Sequence, residues 1–209
     1  KHITKYEKSV KIINNKFKKV MKKIIYFSLM FALIFILGGC AQSYYALNPT
    51  KISYSAASNN LEEVTLNYRY DILRENGNKK ISKKERKNNI KLVAVKITNN
   101  TDKVINLGTN AAFFVGNSMI VPMDVNSIKN RLKQSVPSHL FYLLLTPLTF
   151  TFNNSKPLPV GLILGPALSG GNMLVAGNAN KKFYEELLQY DILNRDIQKG
   201  ETVYGLVGF

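Results

Sequence analysis

The chain has 209 residues, a formal net charge of +16 and a single cysteine, Cys40. One cysteine excludes a disulfide within the chain. Half of the charge is local: residues 1 to 23 hold nine lysines and one glutamate, residues 24 to 39 hold no charge, and a chain starting at Cys40 keeps only +8.

Residues 1 to 20 are rich in Lys and Asn, begin without Met and end at Met21, so they read as an upstream extension outside the fold. The next stretch, MKKIIYFSLMFALIFILGGC over 21–40, has a positive start at Lys22 and Lys23, an uncharged apolar core over 24–36, and small residues before a cysteine. It resembles the signal peptide of bacterial lipoprotein precursors, with Leu37-Gly38-Gly39-Cys40 as the lipobox. The resemblance covers about a tenth of the chain. It implies that a diacylglycerol joins the Cys40 sulfur, that a peptidase cuts between Gly39 and Cys40, and that the new amine is acylated, as with palmitate. Gly38 and Gly39 suit that cut, because side chains there would keep the backbone from the peptidase's catalytic groups. Each buried methylene adds about 0.8 kcal/mol, and two or three chains hold where one does not. The apolar core is shorter than the roughly 20 residues a membrane span needs. The resemblance, with Ala41 where retained lipoproteins often carry aspartate, implies the outer membrane of a diderm bacterium. The partners expected are the membrane, through lipid on Cys40, and a protein of the envelope; export makes nucleic acid an unsuitable one.

Residues 40–60, with Ser, Tyr, Asn and Pro and no sustained period, read as a lipidated tether, and 61–209 as one domain. Residues 62–70 alternate, with Val64, Leu66, Tyr68 and Tyr70 on one face, which predicts a half-buried strand. The basic stretch 74–89, with Asn76-Gly77-Asn78 and the cluster Lys79, Lys80, Lys83, Lys84, Arg86 and Lys87 around Glu85, reads as a loop. Such a cluster either is solvated or lies against anionic head groups at about 1 kcal/mol per residue. Residues 90–98, IKLVAVKIT, are apolar on both faces and predict a central strand. Extended segments follow over 104–107 and 111–115, and Gly116-Asn117-Ser118 sets a hairpin between 113–115 and 119–121.

From 134 to 180 the only formal charge is Lys156, and two apolar runs, 140–152 and 157–176, flank a polar link at 153–156. This insertion reads as a hairpin, possible as helix, with three roles open: cover for the core, contact with the membrane, or a protein interface. Gly161, Gly165 and Ser169 recur every fourth residue, the spacing for close helix approach. Pro147, Pro159, Pro166 and Gly170-Gly171 argue against long helices there. A short helix is predicted over 180–190 with Asn180 as its N-cap, and a closing strand over 202–209.

Short strands separated by turn signals predict a mainly β fold, an immunoglobulin-like β-sandwich with the apolar insertion and one short helix near the C-terminus. VAVKITNNTD looks like a stretch common in small immunoglobulin-like domains of secreted bacterial proteins. For chemistry the sequence offers little. His139 is the only histidine after Cys40, the aspartates at 71, 102, 124, 191 and 196 sit beside turns, and no metal-ligand spacing occurs. Ala167-Leu168-Ser169-Gly170-Gly171 resembles a degraded nucleophile elbow, but no histidine follows it. The expectation is a non-catalytic, lipid-anchored envelope protein acting as a structural or interaction module, with no catalytic, cofactor or metal residue. A membrane-active protein using 140–176 and an envelope hydrolase with a dispersed site are the alternatives.

Overall fold

The computed structural model describes Phe17, Met21 and residues 40–55, 63–151 and 156–209. The chain divides into two compact units, Lys1–Cys40 and Ala41–Phe209, and both cores lie within the second. After a 3-10 turn at Pro49–Lys51, the described elements are β1 (Val64–Arg69), α1 (Ile72–Glu75), α2 (Lys79–Lys87), β2 (Leu92–Asn99), β3 (Ile105–Asn106), α3 (Leu107–Asn110), β4 (Phe113–Val115), β5 (Ser118–Ile120), α4 (Val125–Leu132), a 3-10 helix (Pro137–Leu145), α5 (Gly161–Gln189), β6 (Asp196–Ile197) and β7 (Thr202–Gly208).

The doubly apolar run becomes the middle strand of an antiparallel sheet ordered β1-β2-β7. A strand alternates its side chains between faces, so β2 must be apolar on both when both are covered. Leu92, Ala94 and, from β7, Leu206 enter one core with Leu73 and Ile81, Ile128 and Leu132 of α4, and Phe183 and Leu187 of α5. Val93, Val95, Ile97, Val203 and Val207 enter the other, with Leu107, Ile192 and Ile197. Registry aligns the second set in rows: Leu66 opposite Ile97 opposite Val203, and Tyr68 opposite Val95 opposite Gly205. Ile192 fills the place of the side chain Gly205 lacks; a Cβ there would lie 2.5 Å from it.

This is not the mainly β sandwich that the pattern predicts. Among the described residues helix exceeds strand, about 42% to 22%, and only small separate sheets face the second side of β1-β2-β7. Those are two-residue β3–β6 and three-residue β4–β5, with Gly116 at φ +59° in the predicted hairpin turn. The helical face is built from segments whose pattern misleads. The basic stretch read as a loop forms α2, because Ile81, Ser82 and Glu85 share one buried stripe while its cations face outward. Asn76-Gly77-Asn78 does turn the chain, at Gly77 φ +81°, but between two helices. The short helix predicted over 180–190 is the end of 29-residue α5, about 44 Å long at 1.5 Å per residue. Pro166 lacks the N–H that would reach Leu162, yet α5 continues through it and through Gly170-Gly171.

Packing against the 3-10 helix Pro137–Leu145 explains α5's start. A Cβ on Gly161 would fall 2.1 Å from the Leu145 carbonyl oxygen, and one on Gly165 2.7 Å from Thr146 Oγ1. The small-residue spacing thus lets two backbones touch. Residues 153–155 of the polar link lie outside the described residues.

Candidate functional site

Residues 41–55, read as part of a tether, are built into the domain. Tyr44 and Leu47 are core residues. The Ala41 N–H donates to Asn172 Oδ1 on α5 at 2.6 Å, and Asn172 is itself held by donating to the Leu168 carbonyl at 2.7 Å. Gln42 is fixed at both ends: its side chain donates to the Gly77 carbonyl and accepts the Lys80 N–H, and its backbone exchanges two bonds with the Gln134 side chain. Gln134 is bracketed in turn by Asn180, the residue predicted as a helix N-cap. Further on, Asn78 exchanges two bonds with the Tyr45 backbone. Glu186, buried on α5, accepts from Tyr44 Oη at 2.5 Å, Leu47 N at 2.9 Å and Asn48 N at 2.7 Å. Burial pushes the Tyr44 phenol far above its ordinary range, and its bond to Glu186 adds to that.

Cys40 is exposed and one peptide bond from this clamp. Gly39 and the apolar core of the predicted leader lie outside the described residues, so of the predicted cleavage pair Cys40 alone is described.

An exposed apolar face is formed by the 3-10 helix and the first turn of α5, which pack together. Leu140, Phe141, Leu143 and Leu144 point outward from the 3-10 helix, and Leu162, Ile163 and Leu164 from the first turn of α5, with Phe141 and Ile163 about three-quarters exposed at 73% and 74%. Asn172 stands eleven residues into α5, about 16 Å from its start. Monomeric proteins seldom expose so much contiguous apolar surface without an interaction to cover it. The basic helix α2 begins beside the clamp, since Lys80 bonds to Gln42. Lys80 also helps to hold the His139 imidazole below its usual range, after burial, which is the larger cause. Among the described residues, no helix is long and apolar enough to cross a membrane.

On the opposite face of the sheet a cleft of about 840 Å³ lies beneath the β4–β5 hairpin. Its floor is Leu66, Tyr68, Val93, Val95, Ile97 and Val207, and Phe113 and Phe114 of the β4–β5 hairpin rise over it. At one end stand Tyr70, Asn89, Asp71 and Lys91. Lys91 Nζ lies 2.9 Å from Asp71 Oδ1, and Arg74 approaches the other carboxylate oxygen at 3.6 Å. The Lys91 hydrogen bond, with Arg74 and Arg86 near, holds the Asp71 carboxyl below the usual range.

The residues weighed for chemistry are dispersed. Ser169 is buried in mid-helix with Oγ 3.8 Å from Met173 Sδ, not on a strand-to-helix turn. His139 stacks on Tyr142 at 6.0 Å. Asp124 caps α4 through the Ser127 N–H, Asp191 accepts from Leu193 N, Asp102 pairs with Lys199, and Asp196 accepts from Asn106. No group of three His, Cys, Asp or Glu among the described residues could hold a metal. The sequence reading missed the clamp, because Gln42, Asn78, Gln134, Asn172 and Glu186 are ordinary polar residues scattered over 145 positions. It also missed α4, although Asp124 before Val125, Ile128 and Leu132 is a helix start with an apolar stripe. Comparison with protein-family models, with curated proteins and with solved structures finds no match for the chain.

Proposed function

We propose that this chain is a lipid-anchored protein of the cell envelope, a non-catalytic interaction module that lies on its own bilayer through the apolar face of 137–175. What supports the reading is a combination: the residue after Cys40 is bonded to α5, the helix whose first turn carries exposed Leu162, Ile163 and Leu164, and the next residue, Gln42, bonds to the start of the basic helix α2. A lipid on Cys40 would place that face at the membrane surface. Apolar side chains would sink into the head-group boundary. Lysines of α2 would gain about 1 kcal/mol each beside anionic lipid. The hairpin acts as a second foothold, lying in the interface instead of crossing it.

The test is expression of the chain with its leader in a diderm bacterium, followed by intact mass of the purified protein. The expected product lacks residues 1–39 and carries acyl groups on Cys40. A bare sulfur with the leader retained refutes the anchor. The foothold is tested separately with Cys40→Ala in residues 41–209 extended by that one position, mixed with phosphatidylglycerol vesicles. It should still co-sediment at low salt, and Phe141→Asp with Ile163→Asp should release it; retention by the double variant refutes the apolar contact.

A further inference from the structure

We propose that a single basic strip, made by α2 together with residues 131–133, fits a layer of phosphate head groups and gives the protein its choice of membrane, anionic over zwitterionic. The inference rests on the membrane reading above, but it concerns residues outside the apolar face.

The strip consists of two segments held side by side. α2 packs against α4. At the C-terminal end of α2, Asn88 donates to the Arg131 carbonyl at 2.6 Å. At the other end the Lys80 N–H donates to Gln42, whose backbone exchanges two bonds with the Gln134 side chain. Residues 131–134 therefore follow α2 from one end to the other. The buried stripe of α2 is Ile81, Ser82 and Glu85. Lys79, Lys83 and Lys87 recur every fourth residue on the opposite side and are exposed. They span about 12 Å of helix, with Arg86 on their flank and exposed Arg131 and Lys133 on the neighbouring segment.

No carboxylate answers this charge. Among the described residues the ion pairs all lie elsewhere, and none includes Lys79, Lys83, Arg86, Lys87, Arg131 or Lys133. The carboxylates of adjoining elements are engaged: Glu85 turns inward to accept from Leu92 N, Asp71 pairs with Lys91 and Arg74, Glu75 with Arg69, and Glu185 with Lys181. Glu186 accepts from residues 44–48, and Asp124 caps α4 at the end away from Arg131. The helix also runs against its own dipole, since its first turn carries Lys79 and Lys80 and no acid. Lys79 with Lys83, and Lys83 with Lys87, are like-charge neighbours that repel. A nine-residue helix cannot bear such opposition by propensity alone; Ile81 in the core holds it in place. A local rule broken without compensation inside the fold marks a functional surface.

The make-up of the strip selects the partner. Lysine is a hydrated point charge on a flexible stem, whereas a discrete phosphate or carboxylate is best held by the paired donors of arginine. Charges spread over about 12 Å meet several phosphates at once. The head-group layer of an anionic bilayer presents such an array, and basic residues beside it gain affinity. Position agrees, because Gln42, which ties the two segments together, is two residues from Cys40.

The experiment uses the Cys40→Ala protein that begins at position 40, whose residues 41–209 are the compact unit with both cores. Co-sedimentation measures its partition onto phosphatidylcholine vesicles in which phosphatidylglycerol rises from none to half. Partition should rise at least tenfold across the series, and the rise should disappear at high salt. Lys83→Glu with Lys87→Glu should remove most of the rise, leave partition onto pure phosphatidylcholine unchanged and keep the melting temperature, since it relieves repulsion within α2. Lys51→Glu with Lys103→Glu makes the same change of net charge at exposed cations outside the strip and should keep most of the rise. Four results overturn the proposal: partition indifferent to phosphatidylglycerol, a rise that survives the strip pair, a rise that the control pair removes equally, or linear polyphosphate bound as tightly per phosphate as the vesicles, which would make the partner a soluble polymer. The membrane reading fails separately, through partition onto pure phosphatidylcholine that Phe141→Asp with Ile163→Asp does not reduce.

Discussion

Glu186→Ala offers the sharpest test of the clamp. In the native protein the carboxylate accepts three hydrogen bonds, from Tyr44 Oη, Leu47 N and Asn48 N, over 2.5 to 2.9 Å. Asn48 is exposed and can turn to water, but Tyr44 and Leu47 are buried. A buried donor left without a partner costs roughly 1–3 kcal/mol. Two such donors, less the relief of no longer burying a charge, set the loss at about 3 kcal/mol. For a domain of this size that lowers the unfolding midpoint by roughly 6–12 °C. Glu186→Gln keeps one acceptor oxygen, able to serve Tyr44 and Leu47 together, and should lose about 1–2 kcal/mol. Tyr44→Phe should fall in the same range, and the cycle with Glu186→Ala should show coupling of about 1 kcal/mol. The assay is urea unfolding of residues 41–209, with amide exchange read over 42–48. Protection there should collapse in Glu186→Ala while β2 and β7 remain protected. A loss under about 1 kcal/mol, with exchange over 42–48 unchanged, would refute the reasoning.

Glu85 gives a pH test. Burial raises its carboxyl above the usual range, more than its bond from Leu92 N lowers it. Its folded-state value therefore exceeds the unfolded one, so its contribution is fully present below the unfolded value and is lost as pH rises through the folded one. Glu85→Gln should accordingly gain stability over the native protein between pH 4 and pH 7, by melting temperature; a constant difference across that window contradicts the assignment. Gly205→Ala drives a methyl into Ile192 and should cost about 1–3 kcal/mol. Added to Ile192→Ala it should cost less than the two separately, and strict additivity in urea unfolding would count against the contact. Gly161→Ala meets a backbone carbonyl that has no rotamer to change. It should cost about 2 kcal/mol or more and open the 137–165 hairpin to limited proteolysis; an unaltered digestion pattern would speak against close backbone contact.

What the sequence made legible was strand periodicity. Val64, Leu66 and Tyr68 alternate as a strand with one covered face must, β2 is apolar on both faces because it is central, and Gly116 supplies a positive φ where the hairpin turns. The helical side escaped for physical reasons. In α2 the buried stripe contains one aliphatic residue, Ile81, and its deepest polar member, Glu85, looks like part of a charged loop. In α5 local propensity points away from helix at Pro166 and Gly170-Gly171, and contact with the 3-10 helix overrides it. Counting strands as a sandwich failed because β3–β6 and β4–β5 are too short to form a second layer. The cleft was invisible for the same reason, since it is the space that an absent layer leaves. Around position 40, Cys40 could be singled out from its neighbours in the chain, whereas the hydrogen bonds that hold Ala41 and Gln42 join residues up to 131 positions apart.

Because Ala41 is already bonded to α5, anything joined at position 40 is held on a leash one residue long. A protein so mounted has a fixed attitude and almost no reach. Under the proposed anchoring it would not search the space beyond its mooring for a target, and whatever it meets would have to arrive, either by drifting along the same surface or by landing on the side turned outward.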